Sequence, residues 1–548
     1  MCENTQGAFE TPCGEFLFMT DNILQPLPLG TSDFVALRDA GQIYVDKTEQ
    51  IYQLASLRQK FFLTRPRRFG KSLLVSTFAS LFKDGVKHFS GLAIEKLWKD
   101  TTYNVIEIDF SEVKGFFDYD GFLTQARSVV VAAFVQGGFV LDESRKSEWI
   151  AQISTWLHSQ PVNSVVLLID EYDAPHTACL ENKDLFNKVR DLLSSFYAIV
   201  KSNDACLRFV FMTGITKFNQ TGIFSELNNF TDLSLSPHYG TFLGYSEDDI
   251  RRYFSGYITR AAQELRLSKE EVMDRLRDNY DGYCFDQKVS THVYAPWSVM
   301  KFLEAPDLGF SNYWMKSGGT LTLLEKYLHS HALKSPAEYG ELHGIRSDVL
   351  DSATDFDSIS DLALLTQAGY LTIKRSQGRT FFVGYPNFEV ADSMASLYTN
   401  MLLKNETLET VGAGGLESAL KTADIPAVFQ SANKAFAALD YRQYPIINEK
   451  YCQAFLQVFI FGANYNVTAE KHTAFGRSDL EFDAGKYHWV IELKFQRKKE
   501  NAKALLSKAV DQIRDRNYGA TSSKELVRVA AVFSEEKRAF VCWQEVPT

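Results

Sequence analysis

Three short stretches carry side chains whose types and spacing could do chemistry. The first is Gly70-Lys71-Ser72, inside FFLTRPRRFGKSLL at residues 61–74. A strand feeding a tight loop and then a helix aims backbone N–H groups and the positive helix end at one point, which suits a phosphate. Lys71 would reach the outer phosphates, and Ser72 would help hold Mg²⁺. The second stretch is VVLLIDE, ending in Asp170 and Glu171. Ligands bind at the C-terminal edge of parallel sheets, so Asp170 is placed to enter a Mg²⁺ shell and Glu171 to polarise an attacking water. A helix-capping acid pair is the duller reading. The third is Asp479, followed by Glu492-Leu493-Lys494.

In that third stretch, residues i and i+2 of a strand share a face, so Glu492 and Lys494 project together. The turn DAGK decides whether Asp479 joins them. A two-residue loop, Ala-Gly or Gly-Lys, pairs residues whose numbers sum to 969 or 971 and keeps Asp479 on the Glu492 side. A three-residue loop would put it on the opposite face. Two carboxylates and a main-chain carbonyl can hold Mg²⁺ (or Mn²⁺) through oxygen ligands. Such a metal lowers the pKa of bound water and steadies charge on a phosphodiester, with Lys494 beside it. A half-exposed hairpin carrying surface ion pairs is the alternative. Leu505, Ala509, Gln512 and Arg516 recur at helical spacing after the hairpin, which brings Gln512 beside that helix's buried stripe. Glu449, in the helix before the hairpin, is a further candidate acid.

The first loop departs from the usual pattern. Arg65 stands where Gly is expected, so it must avoid positive φ or carry its strain. A basic surface turn before a helix competes with the phosphate reading. Thr213, ending the strand RFVFMTG, is either a sensor of the outer phosphate or an ordinary strand-end hydroxyl.

The elements that must position these groups follow from periodicity. The runs Phe61–Thr64, Val105–Phe110, Val165–Asp170 and Arg208–Thr213, with a weaker one near Leu233, alternate with helical stretches. That pattern predicts βαβ units and a parallel sheet. VVLLID lacks alternation, as a strand buried on both faces should. We expect an N-terminal arm at 1–28 and the parallel-sheet domain at 29–255. A mostly helical middle region should follow at 256–430, and a second α/β domain at 431–548. In the middle region, DLALLTQAGYLTIKR followed by FFVGYPN reads as a helix leading into a hairpin. It is either a winged-helix-like element or a small β addition to a helical lid.

Composition narrows the class. The 548 residues are 45% hydrophobic and 14% aromatic, enough for several buried cores. The net charge of −10 argues against a generally basic nucleic-acid binder, so such contacts need local patches like Arg497, Lys498, Lys499 and Lys503. Seven scattered cysteines without a CxxC pair predict a reducing compartment, the cytoplasm. The most apolar segment, Val129–Leu141, is too short for a bilayer, which takes about 20 residues. No secretory leader pattern opens the chain.

Taken together, LPLGTSDFVALRDAGQIYVDKTEQI, FFLTRPRRFGKSLL, VVLLIDEYDAP, LRFVFMTGITKFN, IFSELNNFTDLSL, NYDGY, VYAPWSV and GYLTI resemble a mainly bacterial AAA-ATPase-like family. Its members typically end in a PD-(D/E)XK nuclease-like domain. The resemblance covers nearly the whole chain and implies a P-loop NTPase of the additional-strand (ASCE) type. It makes RPRRFGKS the family's own loop, so Arg65, Arg67, Arg68, Phe69, Gly70, Lys71 and Ser72 would hold ATP with Asp170 and Thr213. It sets Asp33, Phe34 and Tyr44-Val45-Asp46-Lys47 near the base or the loop, or else packs them on the sheet edge. It implies a restriction-endonuclease-like fold with Asp479, Glu492, Lys494 and Gln512 in catalytic places, and DNA ahead of RNA as substrate. Homo-oligomers with an arginine supplied in trans are compatible with it, and Arg67, Arg68, Arg251 and Arg252 are available. The competing expectation is a nucleotide-gated switch whose nuclease-like domain binds without cutting.

Overall fold

The computed structural model describes residues 24–217, 229–316, 342–351, 360–402, 408–439, 441, 446–463, 465, 467–473, 476–516, 518–519, 522 and 524–547. Residues 1–23 of the expected arm, and the Ile223–Asn228 part of the motif IFSELNNFTDLSL, lie outside that set.

The first sheet has five parallel strands: β1 (Lys60–Thr64), β2 (Asn104–Asp109), β3 (Val165–Asp170), β4 (Leu207–Gly214) and β5 (Thr231–Asp232). Their spatial order is β2-β3-β4-β1-β5, so β4 lies between the strand of the phosphate loop and the acidic strand. Every residue of β1, β3 and β4 is buried, which explains their unbroken apolar runs. Alternate side chains serve opposite faces. Phe61, Leu63, Val166, Leu168, Phe209 and Phe211 pack with the Lys71–Asp84 helix. Phe62, Leu167, Ile169, Val210 and Met212 pack with the Tyr119–Gln136 and Lys183–Ser202 helices. The sheet is thereby covered on both sides, and its C-terminal edge is left to hold chemistry.

The middle region is helical. Its Lys269–Tyr280 helix begins with a reciprocal capping box, Ser268 with Glu271. The expected hairpin is present as β7 (Thr372–Gln377) and β8 (Thr380–Gly384), after the Asp361–Ala368 helix. It is joined by β6 (His343–Arg346) in a three-stranded sheet of order β6-β8-β7.

The last sheet orders β13-β12-β11-β10-β9. Its strands are β9 (Val467–Thr473), β10 (Gly476–Ala484), β11 (Tyr487–Gln496), β12 (Glu525–Ser534) and β13 (Ala539–Glu545). β11 and β12 run parallel, joined through the Ala502–Arg516 helix, which covers one face with Ala509, Val510 and Ile513. The Ile425–Ala438 and Glu449–Gly462 helices cover the other. Among the described residues, no helix is long and apolar enough to cross a membrane.

Candidate functional sites

The phosphate loop leaves β1 at Thr64 and enters its helix at Lys71. Positive φ falls at Arg68 (67°) and Gly70 (90°), not at Arg65. Arg65 therefore avoids the strain that a standard loop assigns to glycine. Its side chain turns inward, 1% exposed. The guanidinium donates to the carbonyls of Thr64, Ser234 and Tyr239 at 2.8, 2.8 and 2.9 Å. It also lies 4.2 Å from the centroid of Phe285. Its side-chain contacts thus run to protein groups, while Arg67, Arg68, Phe69, Gly70, Lys71 and Ser72 line a cavity of about 640 Å³.

Lys71 Nζ donates to the carbonyls of Arg65 and Pro66, each at 3.1 Å. Burial lowers its pKa, and the nearby carboxylates of Glu171 and Asp170 counter that. Asp170 is 5% exposed, and burial raises its carboxyl to about 6 even though it hydrogen-bonds Ser72. One of its oxygens accepts the Glu171 amide at 2.9 Å. Glu171 has left-handed backbone, φ 47°, and lines the cavity. Ser72 and Asp170 thus bring a hydroxyl and a carboxylate together, the oxygen donors that a Mg²⁺ ion beside a triphosphate takes. Thr213, fully buried at the end of β4, has a hydroxyl without a hydrogen-bond partner.

Of the N-terminal residues expected nearby, Tyr44, Val45 and Lys47 line the cavity. Asp33 instead caps a helix by accepting from Ala36 N at 2.8 Å, Phe34 is buried in the core, and Asp46 accepts from the Thr48 and Ala93 amides.

The middle region grips the loop, which sequence reasoning missed. The Trp314 indole donates to the Arg67 carbonyl at 3.1 Å. Gly369, with φ 92°, lies so near that a Cβ there would come 2.7 Å from Pro66. Phe69 meets Tyr283 and Phe285 edge-on at 4.9 and 5.3 Å. Arg68 stacks over Trp297 at 4.5 Å. The side chains of Arg65, Pro66, Arg68 and Phe69 thus each meet a specific neighbour, and Arg67 is held through its main-chain carbonyl. Beneath them, buried Glu389 accepts from Trp314 N at 2.8 Å and from the Ser298 hydroxyl at 2.8 and 3.0 Å.

At the second site, the β10–β11 turn resolves to the Gly485-Lys486 loop, with Ala484 opposite Tyr487 and Leu480 opposite Ile491. The 971 register holds, and Asp479 comes to the Glu492 side. Asp479 Oδ2 accepts the Leu493 amide at 2.7 Å, and its carbonyl accepts Gln453 Nε2 at 2.7 Å. Glu492 is fully buried. Burial, reinforced by the Asp479 charge, raises its carboxyl to about 7 against the pull of Lys494. Lys494 Nζ donates to Glu492 Oε1 at 2.9 Å and to the Leu493 carbonyl at 2.8 Å, and lies 3.7 Å from Glu449. Burial alone would lower the Lys494 pKa, but these carboxylates raise it. Glu492 Oε2 is buried without a partner. Gln512 bonds the Tyr518 hydroxyl at 3.4 Å, which Arg516 also contacts at 3.1 Å.

An orphaned carboxylate oxygen beside Asp479 and the Leu493 carbonyl fits a hard divalent cation. Among the described residues, no three His, Cys, Asp or Glu side chains form a metal cage, so the main-chain carbonyl would have to complete such a set.

These two geometries agree with two family matches. Residues 28–224 match the family described as "Predicted AAA-ATPase", and residues 447–543 match the PD-(D/E)XK nuclease superfamily. The chain joins an AAA-ATPase-like domain to a PD-(D/E)XK nuclease superfamily domain. An uncharacterized protein in the vnfD 5′ region of Azotobacter chroococcum mcd 1 is 27% identical over 531 residues, spanning 94% of this chain and 98% of that one. Trp297, Trp314 and Glu389 lie between the AAA-ATPase-like and PD-(D/E)XK matches, in the region that neither covers.

Proposed function

We propose that the AAA-ATPase-like domain binds and hydrolyses ATP with Mg²⁺, and that its nucleotide state controls cleavage of DNA phosphodiesters by the PD-(D/E)XK domain. The observation that carries the nuclease half is the convergence of Asp479, Glu492, the Leu493 carbonyl and Lys494 on one strand pair. Asp479, Glu492 and the Leu493 carbonyl would hold Mg²⁺ or Mn²⁺, which supplies an acidified water and charge neutralisation at the phosphodiester. Lys494 would steady the developing charge, and Asp479 fixes the strand pair by accepting the Leu493 amide. In the ATPase half, Lys71 and Ser72 would hold the phosphates and Mg²⁺ with Asp170, and Glu171 would orient the attacking water.

The bulky loop supports control. Pro66, Arg68 and Phe69 pack against the middle region, and the Arg67 carbonyl is held by Trp314, so phosphates entering the loop would act on those contacts. We take the domain limits as 29–255, 256–430 and 431–548.

A second reading keeps the nucleotide switch without cleavage. The observation favouring it is that the Lys494 ammonium lies bonded between Glu492 and the Leu493 carbonyl, where a cation would have to compete. The test is incubation of linear and circular DNA with Mg²⁺ or Mn²⁺, with and without ATP, for the wild type, Lys494→Ala and Lys71→Ala. Cutting lost in Lys494→Ala and made ATP-insensitive in Lys71→Ala is the expected result. ATP turnover without cutting under every condition establishes the switch instead.

A further inference from the structure

Two tryptophans of the middle region meet consecutive residues of the phosphate loop. Trp314 holds the Arg67 carbonyl, and Trp297 lies under the Arg68 guanidinium. They sit on different helices, Tyr313–Lys316 and Pro296–Glu304. One carboxyl group ties those helices together. Glu389, 1% exposed, accepts from the Trp314 amide and from the hydroxyl of Ser298, the residue after Trp297. A buried polar group that loses such partners bears its full desolvation cost, so the joint either holds or breaks.

Glu389 lies in the first turn of the Phe388–Leu402 helix. Among the described residues, the packing of that helix on the Glu449–Gly462 helix is the most extensive between any two helices. The second helix belongs to the C-terminal domain and touches both strands that carry Asp479 and Glu492. In its first turn, Glu449 accepts the Phe495 amide at 3.1 Å and lies 3.7 Å from Lys494. One turn on, Gln453 donates to the Asp479 carbonyl at 2.7 Å. Bonds and packing therefore run from the phosphate loop to the C-terminal site through two helices in direct contact.

We infer that Glu389 and its helix are the joint between the two sites. A shift of the phosphate loop on nucleotide binding passes through Trp297 and Trp314 to Glu389. The Phe388–Leu402 helix then carries it to the Glu449–Gly462 helix, which positions Asp479 and Lys494. The inference rests on the nucleotide reading above but not on cleavage. Glu389 is a positioning residue, because it does not line the phosphate-loop cavity and acts through the tryptophans.

Hydrogen-exchange mass spectrometry of the full chain, with and without saturating ATP and Mg²⁺, reads the joint without any nuclease activity. In the wild type, ATP should change amide exchange about five-fold or more in the loop and in both helices, the low end of ordinary coupling between sites. Glu389→Ala should keep the response of the loop and lose that of the Glu449–Gly462 helix. Glu389→Gln should restore it, because one oxygen, Oε1, already reaches both the Trp314 amide and the Ser298 hydroxyl. Trp314→Phe breaks the bond to Arg67 while its amide stays on Glu389. It should shrink the same response, and it serves as the test where Glu389→Ala does not fold. A wild-type response that stops at the loop, or one that survives in these variants, overturns the joint and leaves the nucleotide reading standing. A wild-type chain that binds no ATP by calorimetry overturns both.

Discussion

The indole N–H of Trp314 donates to the carbonyl of Arg67 across 247 residues of sequence. Trp314 is fully buried, and its own amide is held by Glu389. The contact therefore ties a phosphate-loop carbonyl to the interior of the middle region. Trp314→Phe removes the N–H and leaves a small void. We expect a stability loss of about 1–3 kcal/mol and a few-fold weaker tripolyphosphate binding, read by thermal unfolding and calorimetry. Unchanged tripolyphosphate affinity would show that the loop is positioned without this contact.

Restoring glycine at the first loop position should harm the protein. Arg65→Gly strips three carbonyls, two of them in buried bonds, of their donor and empties the space against Phe285. The expected cost is about 3–5 kcal/mol, with nucleotide binding lost alongside. Arg65→Lys should recover only part, because an ammonium lacks the planar fork. Chemical denaturation of the three proteins checks this, and a glycine variant as stable as the wild type would refute it.

Glu389 makes the middle region pH-sensitive. Burial raises its carboxyl to about 8, above the ordinary value of 4.5, despite the Trp314 amide and the Ser298 hydroxyl. The folded state then holds a proton that the unfolded chain releases. Stability should fall as pH rises from about 4.5 to 8 and level off above that. Glu389→Gln keeps the shape and removes the proton. Between pH 5 and 8 the wild type should lose roughly 2–4 kcal/mol relative to this variant. Parallel pH profiles for the two proteins would count against the assignment.

The second site should trade stability for chemistry. Glu492 is fully buried, with its carboxyl raised to about 7. Its ionisation therefore opposes folding increasingly as pH climbs toward 7. Glu492→Gln should leave thermal stability at pH 8 equal or higher, and lower DNA cleavage by roughly 100-fold or more. Marked destabilisation at pH 8 would mean that the carboxylate serves the fold instead.

Legibility followed sequence distance. The run VVLLID announces a strand buried on both faces, and β3 is one. The DAGK turn limits the hairpin to a few registers, and each two-residue loop brings Asp479 to Glu492. Those signals are local, set by backbone period and turn length. Arg65 is different, because a buried arginine and a surface one read alike until its carbonyl partners at Ser234 and Tyr239 are in place. Trp297 and Glu389 are also silent, as the meaning of one comes from Arg68, some 230 residues away, and of the other from Trp314 and Ser298, which reach it from earlier helices. Gln512 shows the limit of helical spacing, which gave its face but not its partner, the Tyr518 hydroxyl.

The placement of Lys494 separates assembly from loading. Its ammonium already offsets the buried Glu492 charge and caps the Leu493 carbonyl. The C-terminal domain thus brings its own stand-in cation and can reach its fold in a cell starved of divalent metal. A zinc finger, by contrast, needs its ion to fold at all. On the proposed reading, a newly made chain would be folded before any metal arrives, with the unpartnered Glu492 oxygen left to receive it.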